Sequence, residues 1–199
     1  MKKVLNIISS PRGNASYSIK LSNAIVEKIK DSYPGSEVVT HDLASHPFPH
    51  LEESHLASFY TPEENRTDEN REAVKHSDEA IKELKDADII VIGAPLYNFS
   101  IHSTLKAWID HISRSGITFK YSEKGPEGLV KGKKVFLSIA SGGIYSEGPM
   151  KAYDFVEPYM RAFLGFIGIT DITTVRVEGT GIPVVQETAL QKAIDSIRI

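Results

Sequence analysis

The sequence predicts a single α/β domain spanning residues 1–199, built on a five-stranded, doubly wound parallel sheet covered by helices on both faces. Three observations carry this. A chain of 199 residues suits one hydrophobic core, since a domain of this size buries roughly 70% of its unfolded surface. Short apolar runs rich in β-branched residues alternate with stretches of helical periodicity, the pattern of a parallel sheet with crossover helices. The third of those runs, ADIIVIGAP, is apolar almost throughout, as in a central strand buried on both faces.

In chain order, strands are expected at residues 4–8, 37–40, 88–93, 134–139 and 172–177. The second is shorter and more polar, as near a sheet edge. Helices are expected at 18–30, where Leu21, Ile25 and Ile29 stand four apart, at 70–84, and at 103–113, where Leu105, Trp108, Ile109 and Ile112 form one apolar stripe. A fourth helix is expected at 150–164 and a fifth at 185–197. The charged run EENRTDENRE reads as a solvated helix start, with Thr67 or Asp68 near the cap. Two long connections interrupt the rhythm: 43–69, rich in His, Pro and acids, and 114–132, rich in Gly and Lys. Connections this long inside a compact domain are usually functional or mobile.

Composition narrows the chemistry. With 23 basic and 26 acidic residues, a net charge of -3, the chain offers no polycationic face for nucleic acid. It has no cysteine, which excludes disulfides, thiolate metal sites and cysteine nucleophiles and makes the cytoplasm the expected compartment. The opening MKKVLNIISS is basic like a signal peptide, but its apolar run of about five residues is shorter than the required core, and no stretch is long enough for a membrane span.

Ligands of open α/β sheets bind beyond the carboxyl ends of the strands, and three of those ends are unusual. After the first strand comes SSPRGNASYS. Ser9, Ser10, Ser16 and Ser18 offer hydroxyls, Gly13 and Asn14 suit tight turns, and the loop runs straight into a helix whose amino end favours an anion such as a phosphate monoester. A helix cap alone would need one hydroxyl. After the third strand come Pro95, Leu96, Tyr97, Asn98 and Phe99, apolar walls and an amide suited to a flat heteroaromatic ring; equally, Tyr97 and Phe99 can be core residues with Asn98 in a turn. After the fourth come Ala140, Ser141, Gly142 and Gly143, where two glycines allow close backbone approach.

Other chemistries fail on their motifs. There is no G-x-G-x-x-G and no P-loop. The first loop lacks the carboxylate that a phospho-accepting domain needs, and Ser141 lacks the glycine of a nucleophile elbow. A non-enzymatic electron carrier would present no acceptor pocket, whereas the aromatic-containing 114–132 segment suggests one. His41, His46, His50 and His55, with Glu52 and Glu53, do not match a zinc spacing, so no metal site is expected. His102 starts close to the ring slot and is a candidate substrate contact. Trp108 is expected in the core or at a dimer contact.

A phosphate cradle beside a flat-ring slot points to FMN on a flavodoxin-like sheet. The segments PLYNFSIHSTLKAWIDHISRSGITFKYSEKGPEGLVKGKK and YMRAFLGFIGITD resemble the FMN-dependent NADH:quinone oxidoreductases known as azoreductases, and the similarity runs essentially end to end. The resemblance implies strand order 2-1-3-4-5 in a three-layer sandwich. It also implies tight, non-covalent FMN held by Ser10, Ser16, Tyr17 and Ser18 at the phosphate and ribityl chain, by Leu96, Tyr97, Asn98 and Phe99 along the isoalloxazine, and by Ala140, Ser141, Gly142 and Gly143 at its pyrimidine edge. It implies a homodimer with its active sites at the interface, Phe99 lining the substrate pocket and Phe119 and Tyr121 reaching it from the partner chain. The implied reaction is ping-pong hydride transfer from NADH or NADPH through FMN to quinones and aromatic azo compounds, with no side chain as nucleophile. The chain departs from the family at Ser141, where members often carry arginine.

Overall fold

A computed structural model describes all 199 residues. Five parallel strands form the sheet: β1 (Lys3–Ile8), β2 (Glu37–Asp42), β3 (Ile89–Pro95), β6 (Lys134–Ala140) and β7 (Asp171–Val177). Their spatial order is β2-β1-β3-β6-β7, which is 2-1-3-4-5 when only the strands of this sheet are counted. The remaining two, β4 (Phe119–Ser122) and β5 (Gly125–Gly128), pair antiparallel as a separate hairpin. The helices are α1 (Tyr17–Ser32), α2 (Glu53–Tyr60), α3 (Asp68–Asp86), α4 (Ser103–Ile112), α5 (Glu157–Ile167) and α6 (Pro183–Ser196).

Side-chain alternation along the strands divides the core in two. Leu5, Ile7, Ile90, Ile92, Leu137 and Ile139 face α3, α4 and α5, together with Trp108, which is buried as expected. Val4, Ile89, Val91, Phe136, Val175 and Val177 face α1 and α6. All seven residues of β3 are buried, while β2 at the edge has none. No helix is long and apolar enough to cross a membrane.

Three expectations change in detail. The helix expected over 150–164 is two pieces, a 3-10 turn Pro149–Tyr153 and then α5. Pro158 has no N–H to continue a helix from the preceding turn and belongs at a helix start; Asp154 Oδ1 accepts from the amides of Val156 and Glu157 to open the new one. The 43–69 connection contains α2, and the 114–132 connection contains the β4–β5 hairpin. The charged run caps as read: Thr67 Oγ1 accepts from Asn70 N, and Asn70 Oδ1 accepts in return from Thr67 N.

Candidate functional site

The loops after β1, β3 and β6 meet in one cleft lined by Arg12, Ser16, Tyr17, Pro95, Leu96, Tyr97, Ala140, Ser141, Gly142 and Thr180. Each wall has a local cause. Beyond β1, Gly13 takes a φ of 51° and opens a 3-10 turn, after which Ser16 caps α1 by accepting from Ile19 N. Ser16 Oγ also lies 3.0 Å from Ser18 Oγ, and both residues are buried. The main-chain N–H groups of Gly13, Asn14, Tyr17 and Ser18 donate to no protein acceptor. Free amides, two buried hydroxyls and the positive end of a 16-residue helix together form a concavity that favours an anion. Ser10 is tied 3.2 Å from the Tyr97 hydroxyl, linking this concavity to the next wall. Ser9, by contrast, donates to Gly93 O and is structural. Arg12 lines the cleft and forms no ion pair with any carboxylate.

The second wall is a tight turn. Tyr97 and Ser100 exchange two main-chain hydrogen bonds of 3.0 Å, leaving Asn98 and Phe99 between them at φ values of 49° and 72°. Left-handed conformation at both central positions is the mirror-image turn favoured by glycine and asparagine; a phenylalanine there carries strain of order 1 kcal/mol. The turn leaves the Phe99 ring outward, 42% exposed, against Tyr153 at 5.4 Å and Tyr145 at 6.4 Å between ring centroids. Leu96 N donates to Ala140 O at 2.8 Å, joining the second wall to the third.

Of the other candidates, His102 alone borders the cleft, through Tyr97. His102 caps α4, its Nδ1 accepting from Thr104 N, with its ring edge-on to Tyr97 at 5.7 Å. His41 pairs with Glu83 at 2.6 Å, and His55 Nδ1 accepts from Glu52 N to cap α2. Phe119 packs on Phe166 in the last turn of α5, at 4.5 Å, and Tyr121 is 71% exposed. Their hairpin is anchored where Val130 N donates to Ile167 O, beside the amino ends of the strands. Within one chain they are therefore not brought to the cleft.

The family described as flavodoxin-like fold matches residues 2–198. An FMN-dependent NADH:quinone oxidoreductase of Herminiimonas arsenicoxydans is 52% identical over 179 residues, 90% of this chain and 88% of that protein. The chain belongs to the FMN-dependent NADH:quinone oxidoreductase family. A relative of that name from Rhizobium johnstonii is 46% identical, covering 100% of this chain and 95% of its own. Among solved structures, an azoreductase from Bacillus anthracis str. Sterne superposes with a TM-score of 0.87 at 32% identity, covering 98% of both chains. An FMN-dependent NADH-azoreductase from Bacillus anthracis str. Ames Ancestor, solved in complex with FMN, reaches 0.86 at 29% identity over 98% of this chain and 97% of that one.

In this quinone oxidoreductase family member a fourth strand end also shapes the cleft, one that the sequence reading passed over. Beyond β7, Glu178, Gly179, Thr180 and Gly181 lie against the loop after β6. The signal was in plain view: a G-x-G turn at a strand's carboxyl end. Behind it, Arg176 bonds Asp154 and Glu157 through Nη2. Burial alone would raise the Glu157 carboxyl, but hydrogen bonds from Arg176, Thr174 and Arg161 outweigh it and hold the group at about 2.

Proposed function

We propose that residues 1–199 form one FMN-binding domain that carries hydride from NADH, or NADPH, to quinones and aromatic azo compounds. The observation that carries the reading is the run of free amides and buried hydroxyls at the start of α1 standing beside the strained Asn98–Phe99 turn: one suits a phosphate and the other a flat ring. Ser10, Ser16, Tyr17 and Ser18 would hold the phosphate and ribityl chain. Leu96, Tyr97, Asn98 and Phe99 would flank the ring, and Ala140, Ser141, Gly142 and Gly143 would border its polar edge. FMN, when bound, supplies the redox chemistry, taking a hydride from the nicotinamide and yielding it to the acceptor.

The chain's own task is to bind and orient. A quinone needs one hydride and one proton to become a hydroquinone, and cleavage of an azo bond to two amines needs two such rounds. No side chain has to act as nucleophile. Donor and acceptor take turns against the exposed ring of Phe99, which gives ping-pong order. Phe119 and Tyr121 of a second copy of the chain would close the pocket in a homodimer. Lack of cysteine suits a cytoplasmic protein.

The test is to reconstitute the protein with FMN and add one equivalent of NADH without oxygen. Stoichiometric bleaching that a quinone or azo dye reverses is the expected result. A flavin that stays oxidised with both NADH and NADPH removes the oxidoreductase reading, and a protein that takes up no FMN removes the flavin reading altogether.

A further inference from the structure

The turn after β7 directs its hydrogen bonds to a single neighbour. Thr180 N and Oγ1 donate to Ser141 O at 3.2 and 3.1 Å, Gly181 N to Gly142 O at 2.9 Å, and Gly179 N to Gly143 O at 3.0 Å. Three successive carbonyls of the glycine loop are thereby held against the turn. In a planar trans peptide the C=O of one residue and the N–H of the next point in opposite directions. Fixing the carbonyls of Ser141, Gly142 and Gly143 therefore turns the N–H groups of Gly142, Gly143 and Ile144 away from the turn, and none of these three amides donates to any group in the chain. A run of free amides on one side of a loop is a nest for negative charge.

Glu178 completes the clamp. Its Oε1 accepts from Tyr145 N at 2.7 Å and Ser146 N at 2.9 Å, and its Oε2 accepts from the Ser146 hydroxyl. The carboxylate is only 13% exposed and is held from behind by Arg176 Nη1 at 3.5 Å. The turn also packs closely on the loop: a Cβ on Gly181 would stand 3.2 Å from Gly142 O, tighter than ordinary van der Waals contact.

We infer that Glu178, with the turn it begins, is a positioning residue that aims the amides of Gly142, Gly143 and Ile144 at the polar edge of the flavin ring. This rests on the proposed placement of that loop along the ring. The edge gains negative charge when the cofactor takes up two electrons, and donors fixed in advance stabilise that charge more than they stabilise the neutral oxidised ring. Glu178 therefore sets both how tightly the flavin binds and how easily it is reduced.

The experiment compares Glu178→Ala, Glu178→Gln and Ser146→Ala with the wild type, titrating each with FMN and with riboflavin and measuring the midpoint potential of the bound flavin. Glu178→Ala is expected to weaken both flavins by the same factor, about tenfold. It should weaken the reduced form about tenfold more, a fall of about 30 mV in midpoint for a two-electron couple. Glu178→Gln, which keeps one acceptor for the two amides, should fall between, and Ser146→Ala should show the smallest change. Folded Glu178→Ala or Glu178→Gln with wild-type affinity and potential overturns the inference, as does a loss confined to FMN, which would place the effect at the phosphate. If Glu178→Ala does not fold, the potential of Glu178→Gln decides. A wild type that binds neither flavin overturns the proposed function and this inference with it.

Discussion

At the scale of single residues, the Asn98–Phe99 turn separates what a sequence can show from what it cannot. Asparagine tolerates left-handed backbone, so a turn at Asn98 was readable from its type. Nothing in the letters marks Phe99 as sharing that conformation, because the constraint comes from two hydrogen bonds between Tyr97 and Ser100 and a third from Phe155 N to Phe99 O. Replacing Asn98 by alanine removes the amide and adds strain at a φ of 49°. The expected outcome is flavin retention weakened about tenfold, or reduction by NADH slowed to a similar degree, read by dialysis and stopped-flow absorbance. His46→Ala, at an exposed position of the 43–69 connection, should change neither. Equal effects of the two would mean the ring wall is wrongly assigned. The serines after β1 divide: Ser16 caps α1 and Ser9 donates to Gly93 O as a structural group, while a phosphate role for Ser10, Ser16 and Ser18 belongs to the proposed function.

At the scale of elements, the helices and strands with an uninterrupted apolar stripe were legible, and those set by one backbone detail were not. Pro158 divides the helix expected over 150–164, and α2 has too short a pattern to stand out within a polar connection. What holds α2 in place is a buried cluster that also predicts a pH response. His111, fully buried, has its ring 5.1 Å from His55 and 5.5 Å from Phe48, and donates from Nε2 to Pro49 O at 3.0 Å. Burial, aided by the neighbouring His55 and His76 and opposed by the Pro49 hydrogen bond and by Asp110, pushes its pKa below the ordinary 6.5. The unfolded chain then takes up that proton first, so stability should fall as pH drops below 6.5. Glu157 behaves in the opposite chemical sense with the same slope. Its folded value of about 2 lies under the ordinary 4.5, so its contribution is present above 4.5 and is lost as pH falls from there toward 2, by at most about 3 kcal/mol. Urea unfolding across this range should show two declines. His111→Gln, which keeps a donor for Pro49 O, should flatten the first, and Glu157→Gln the second.

At the scale of the whole molecule, the parallel sheet followed from hydrophobic patterning, because strands buried on both faces have almost no freedom in composition, whereas its strand order followed from the family resemblance. The β4–β5 hairpin did not, since Phe119–Ser122 and Gly125–Gly128 are short, polar and outside the core. This matters for the acceptor pocket, whose proposed second half sits on that hairpin. Phe119→Ala and Tyr121→Ala should raise KM for a quinone several-fold while leaving the FMN dissociation constant unchanged. A parallel loss of FMN affinity would mean that the hairpin's rings bear on the cofactor site itself and not on the acceptor pocket alone.

The hairpin joins the body through two glycines. A Cβ on Gly128 would lie 2.1 Å from Gly168 N, so the two main chains touch with no side chain between them, at the point where α5 ends in a left-handed Gly168. The direction of this arm is therefore set by a bare main-chain contact together with the packing of Phe119 on Phe166. A substitution at Tyr121, which is 71% exposed, exchanges a ring of the arm without touching that junction, and under the proposed pocket would retune which acceptors are taken. In the proposed homodimer, selectivity at Tyr121 and the architecture of the arm would then vary independently.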